Sequence, residues 1–125
     1  MLAADAPVLE VYYASTCEPC RKELPTLTQL DEGTKLVIYV LGNADKAKRE
    51  LYLVSPALAE KAVYVSPGAD QRATLRQAGN ADGILPFARS VKADGTLCGS
   101  WRGILTLDRV RTLINSCYGS TPRLP

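Results

Sequence analysis

At 125 residues, with 46% hydrophobic and 22% charged residues, the chain suits a single domain around one buried core and leaves little room for a second. Its 15 basic and 13 acidic residues leave a net charge of +2, which argues against an electrostatic grip on nucleic acid or an acidic membrane. Histidine is absent, so Cys–His and Ser–His pairs and His-ligated zinc, copper or haem are excluded; thiols, carboxylates, lysines and backbone remain.

No apolar run is long enough to span a membrane. Met1-Leu2-Ala3-Ala4-Asp5-Ala6-Pro7 reads as the start of a mature chain after removal of a secretory signal, so an extracytoplasmic, periplasmic location is expected. Residues 1–7 are expected to form an N-terminal remnant, 8–118 the domain and 119–125 a C-terminal tail.

Val8-Leu9-Glu10-Val11-Tyr12-Tyr13, bounded by Pro7 and Ser15, predicts a buried strand. Cys20, Leu24, Leu27 and Leu30 fall close to one helical face and predict a helix from Glu18 to about Leu30, kinked at Pro25. Leu36-Val37-Ile38-Tyr39-Val40-Leu41 lacks polar alternation, the pattern of a strand covered on both faces. Ala47, Leu51, Val54 and Leu58 mark a second helix, broken at Pro56. The charged cluster from Lys46 to Glu50 is its solvated face. Ala62-Val63-Tyr64-Val65 predicts a short third strand closed by Ser66-Pro67-Gly68, and Asp70 to Ala78 a third helix stopped by Gly79.

Beyond Ile84-Leu85-Pro86-Phe87 the pattern changes. Phe87 to Lys92 and Thr96 to Arg102 are extended runs joined by Ala93-Asp94-Gly95, a hairpin signal because Asp and Gly both tolerate positive φ. Thr106 can cap a last helix with apolar positions Leu107, Val110, Leu113, Ile114 and Cys117. The order β-α-β-α-β-α-β-β-α implies an α/β fold: a central mixed sheet flanked by helices, parallel first and ending in an antiparallel hairpin.

Four cysteines allow three fully paired connectivities. Cys17 falls in the turn between the first strand and first helix, where free amides and the helix dipole favour thiolate and make it the attacking sulfur. Cys20, one turn later, can resolve a mixed disulfide formed on Cys17, and Pro19 suits the first turn. Half a zinc site is the alternative; it would have to gather all four cysteines, and Cys98 and Cys117 are not a close pair in sequence.

The string Cys17-Glu18-Pro19-Cys20-Arg21-Lys22-Glu23-Leu24-Pro25 resembles the active site of the TlpA/ResA-like thioredoxins, and the resemblance extends over roughly Val8 to Cys117. It implies a thioredoxin-like fold and a thiol–disulfide oxidoreductase without cofactor or metal. Pro86 matches the family's cis-proline, and Leu85, the residue before it, would pair through its backbone with a client strand. Glu23 matches an acidic residue near the thiols; a carboxylate there, if partly desolvated, would have a raised pKa and could exchange protons with Cys20, and the alternative is a solvated glutamate. Two positions depart from the pattern: Val11 stands where thioredoxin has a buried aspartate, and Thr16 where the family has tryptophan.

The resemblance tilts the direction towards reduction of exported client proteins, in cytochrome c maturation or copper-site assembly, with a membrane donor of the DsbD/CcdA type and a monomeric chain. A disulfide oxidant or isomerase and a Cu(I)-binding metallochaperone are the rival functions. For the second cysteine pair, a strand from Leu97 to Arg102 spans about 20 Å. A helix from Thr106 to Cys117 returns about 18 Å. Cys117 should therefore come back beside Cys98, and a structural disulfide is expected; the alternative is two buried thiols acting as small apolar residues.

Overall fold

The structure, a computed structural model, describes residues 6–31, 33–65 and 71–118. Its elements are β1 (Val8–Ala14), α1 (Glu18–Lys22), α2 (Leu24–Leu27), β2 (Lys35–Leu41), α3 (Ala44–Val54), α4 (Pro56–Glu60), β3 (Ala62–Tyr64), α5 (Gln71–Gln77), β4 (Phe87–Val91), β5 (Leu97–Arg102) and α6 (Leu107–Asn115). They form a five-stranded sheet in the order β3-β2-β1-β4-β5. β1 runs parallel to β2 and antiparallel to β4, so the sheet is mixed, as the element order predicts. Residues 1–5 of the expected N-terminal remnant 1–7, the expected tail 119–125, the Ser66-Pro67-Gly68 stop and Asp70 lie outside the described residues.

β1 is the spine because both its faces are covered. Leu9, Val11 and Tyr13 join Leu36, Ile38, Val40 and Ala88 in a core packed by α1, α2, α3, α4 and α6. Tyr12 and Ala14 point the other way, into a smaller cluster with Leu41, Phe87 and the α5 residue Leu75. There Tyr12 stacks on Tyr39 with ring centroids 5.1 Å apart and meets Phe87 at 5.5 Å.

Two of the predicted helices are split, and proline is the reason each time. The first breaks at Glu23, because Pro25 has no amide hydrogen to continue the ladder and its ring crowds the preceding turn. It also ends at Leu27 rather than Leu30: the Pro25 carbonyl is taken by the Thr28 hydroxyl at 2.6 Å and the Gln29 side-chain Nε2 at 3.3 Å. The second breaks at Ser55, which is extended (φ −166°) and caps α4 by accepting from the Ala57 amide at 3.3 Å.

The hairpin differs from its sequence reading in one respect. Among the described residues only glycines have positive φ, so Asp94 does not share that conformation with Gly95 (φ 90°). The Gly95 amide donates to the Lys92 carbonyl at 2.8 Å and the Lys92 amide to Thr96 at 2.8 Å, a three-residue loop with glycine in the left-handed position. The Asp94 carboxylate accepts from the Thr96 amide instead.

A register shift next to this hairpin aims the second cysteine pair. Ser90 pairs with Gly99 and Val91 with Leu97, leaving Cys98 as the extra residue of a β-bulge. A Cβ on Gly99 would lie 3.4 Å from Leu113 of α6, and the neighbouring Cys98 is bonded to Cys117. Two consecutive residues of β5 thus face α6 and the turn that follows it. Cys117 itself stands two residues beyond the end of α6, not within it, with its Cα 5.0 Å from that of Cys98.

Candidate active site

Register alone brings three loops to one end of the sheet. β1 ends at Ala14 and leads into Cys17; Phe87 pairs with Tyr12, so Leu85 and Pro86 precede β4 at that same end. Arg102 pairs with Phe87, so the Gly103-Ile104-Leu105 link to α6 leaves from there too.

Cys17 is the N-cap of α1. Its backbone is extended (φ −101°, ψ 99°), its amide donates to the Ala14 carbonyl at 3.0 Å, and its sulfur accepts from the Cys20 amide at 3.2 Å. The Arg21 guanidinium donates to the Ser15 carbonyl and ties α1 to the end of β1. Cys17 and Cys20 are disulfide-bonded, with Cα atoms 5.2 Å apart. Their surroundings differ: Cys17 is half-buried, whereas Cys20 is fully buried with its sulfur 4.0 Å from the Tyr12 carbonyl. Pro19 occupies the first turn, where its missing amide hydrogen costs nothing.

Glu23 sits at the break between α1 and α2 and is 1% exposed, the one buried acidic side chain among the described residues. Its amide donates to the Cys20 carbonyl at 3.3 Å. Its Oε1 accepts from the Leu105 amide at 2.8 Å, and its Oε2 has no partner among the described residues. Burial pushes the carboxyl pKa up to about 7, and the Leu105 hydrogen bond offsets only part of that rise. The solvated alternative for Glu23 therefore does not apply. Val11, where thioredoxin has its buried acid, is a fully buried core residue here, and Thr16 is exposed.

The Leu85–Pro86 peptide is cis. Leu85 is half-buried and, like Cys17, packs on both core clusters. The Pro86 carbonyl accepts from the Gly103 amide at 3.0 Å. The structure thus gathers Cys17, Cys20, Glu23, Leu85 and Pro86 at one end of the fold. Cys98 and Cys117 form their own bridge between β5 and the end of α6.

Two positions escaped the sequence reading. Leu105 contributes only a backbone amide, so no side-chain type could mark it. Asn80 is 1% exposed and its Nδ2 donates to the Ile84 carbonyl at 2.7 Å; in sequence it was one polar residue in a Gly-containing link.

No protein-family model and no curated protein sequence matches the chain. Solved structures do. A thioredoxin-related protein from Neisseria meningitidis serogroup B superposes with a TM-score of 0.74 at 20% identity, covering 91% of this chain and 86% of that one. A putative thiol:disulfide interchange protein DsbE from Chlorobium tepidum gives 0.71 at 21% identity, covering 94% and 83%. A secreted Mycobacterium tuberculosis disulfide oxidoreductase gives 0.67 at 14% identity, covering 90% and 82%. The fold is thioredoxin-like. The first two of these structures are described as a thioredoxin-related protein and a putative thiol:disulfide interchange protein.

Proposed function

We propose that the protein is an extracytoplasmic thiol–disulfide oxidoreductase that reduces disulfides of client proteins through Cys17 and Cys20. The observation that carries this reading is the asymmetry of the pair. The half-buried Cys17 sulfur receives the Cys20 amide at the first turn of a helix, while Cys20 is buried behind it.

In the reduced protein the same amide would face the Cys17 sulfur and favour its thiolate. That thiolate attacks one sulfur of a client disulfide; an S–S bond to the client forms, the client's own S–S bond breaks, and the departing client sulfur takes up a proton. Cys20 gives up its proton and attacks Cys17, which restores the Cys17–Cys20 disulfide and frees the second client thiol. Two electrons pass to the client, and a dithiol donor must return two. Glu23, three residues after Cys20 and holding a carboxyl that titrates near neutrality, is suited to take the Cys20 proton. Leu85 and Pro86 would receive the client strand: among the described residues the Leu85 amide and carbonyl have no hydrogen-bond partner, which leaves them open to strand addition.

Reduction rather than oxidation is favoured by Glu18, an exposed carboxylate in the first turn beside Cys17. It opposes the thiolate stabilisation on which strong oxidants depend. The Cys98–Cys117 bridge supports an oxidising compartment, and the relative from Mycobacterium tuberculosis is described as secreted. Equilibration of the Cys17–Cys20 pair with glutathione tests the direction. A potential near the thioredoxin value of about −270 mV supports a reductant, and one near about −120 mV reverses it.

A further inference from the structure

Asn80 occupies a helix-end position that commonly carries an apolar side chain. α5 closes with Gly79 in the left-handed region (φ 100°); the Gly79 amide donates to the Arg76 carbonyl at 3.0 Å and the Asn80 amide to Leu75 at 2.8 Å. This pair of bonds is a Schellman closure, in which the residue after the glycine commonly turns a hydrophobic side chain back onto the helix. Here that residue is a buried amide, and its Oδ1 has no partner among the described residues. Burying an unpaired amide oxygen costs stability. The one bond the side chain makes is to the Ile84 carbonyl.

That bond falls next to the segment the client would meet. The Ile84 carbonyl is held by Asn80 at 2.7 Å and the Pro86 carbonyl by the Gly103 amide at 3.0 Å. Between these two anchors Leu85 keeps its own amide and carbonyl unpaired among the described residues. Gly103 acts through backbone that directly follows β5, whereas Asn80 reaches the segment with a side chain from the start of the same α5–β4 link.

We infer that Asn80 is a positioning residue for client docking: it fixes the Ile84 carbonyl and so holds the unpaired Leu85 backbone in place for a client strand. This rests on the thiol-exchange reading of Cys17 and Cys20. Without the anchor the segment must order itself when a client strand adds, and that ordering is charged against binding. The chemistry at Cys17 is left as it was, because Asn80 is not among the groups that bond to either active-site sulfur.

The test is Asn80→Leu, which restores the customary apolar residue at the helix end. Two oxidants are compared on the reduced protein: insulin, a polypeptide disulfide, and 2-hydroxyethyl disulfide, which has no peptide backbone to dock. The variant is expected to raise KM for insulin roughly five- to tenfold, the worth of one hydrogen bond, with kcat little changed. Its rate with 2-hydroxyethyl disulfide and its CxxC potential should match wild type. Asn80→Ala, which removes the donor without adding bulk, should behave likewise and covers the case in which Asn80→Leu does not fold. Unchanged insulin kinetics in a folded variant overturn the inference, as does an equal loss with both oxidants, which would mean general distortion of the site. If wild type reduces neither oxidant, the exchange reading itself falls.

Discussion

Glu23 and Leu105 are 82 positions apart, yet the carboxylate of one accepts the backbone amide of the other at 2.8 Å in the core of the protein. Through this bond the break between α1 and α2 is fastened to the loop that starts α6. The same loop, two residues earlier, holds the Pro86 carbonyl through Gly103. The buried carboxyl three residues after Cys20 is therefore linked by three consecutive residues to the segment before β4.

The buried carboxyl makes stability depend on pH. Its folded pKa, raised from 4.5 to about 7, means the folded state holds a proton that the unfolded state has released. The associated stability is fully present below about pH 4.5 and is lost as pH rises through 7, a change on the order of 3 kcal/mol. Glu23→Gln keeps an acceptor for Leu105 and cannot ionise, so it should flatten this part of the profile. Urea unfolding of the oxidised protein between pH 4.5 and 8 measures it, and an unchanged slope in Glu23→Gln would contradict the assignment.

Removing the second disulfide should weaken the fold without disabling the first. Cys98 and Cys117 stand 19 positions apart, so the double substitution to alanine is expected to cost about 3 kcal/mol in urea unfolding. The reduction potential of Cys17–Cys20 should stay within a few millivolts of wild type, roughly the scatter of the method. A loss below about 0.5 kcal/mol would show that the bridge constrains little.

α6 begins at Thr106, whose hydroxyl accepts from the Arg109 amide at 3.1 Å. Thr106→Ala should lower stability by about 1 kcal/mol, and Thr106→Ser should recover most of it. Chemical denaturation at fixed pH gives both values; equal stabilities for the two variants would argue against a capping role.

What could be read from sequence, and what could not, follows from the range of the forces involved. Strand periodicity, the helix stops at Gly79 and Pro56 and the CxxC at a helix start are local, and each stands where the residues imply. The length match between β5 and α6 was enough to bring Cys117 to Cys98. The bulge that turns Cys98 and Gly99 towards α6 and the turn that follows it was not legible, because a register shift leaves no mark in the hydrophobic pattern. Nor was the burial of Glu23, which depends on an amide 82 residues away, or the Asn80–Ile84 bond, which looks in sequence like an ordinary polar link. The Asp94-Gly95 turn shows the reverse: the hairpin is where the dipeptide says, but only the glycine needs the left-handed conformation.

The central claim is that Cys17 attacks and Cys20 resolves, and trapping measures this most directly. Reduced Cys20→Ser is mixed with insulin, quenched with acid, digested and mapped by mass spectrometry. The account predicts a lasting mixed disulfide on Cys17, and none with Cys17→Ser under the same conditions. An adduct on Cys98 or Cys117, or no adduct with Cys20→Ser while wild type reduces insulin, would contradict it.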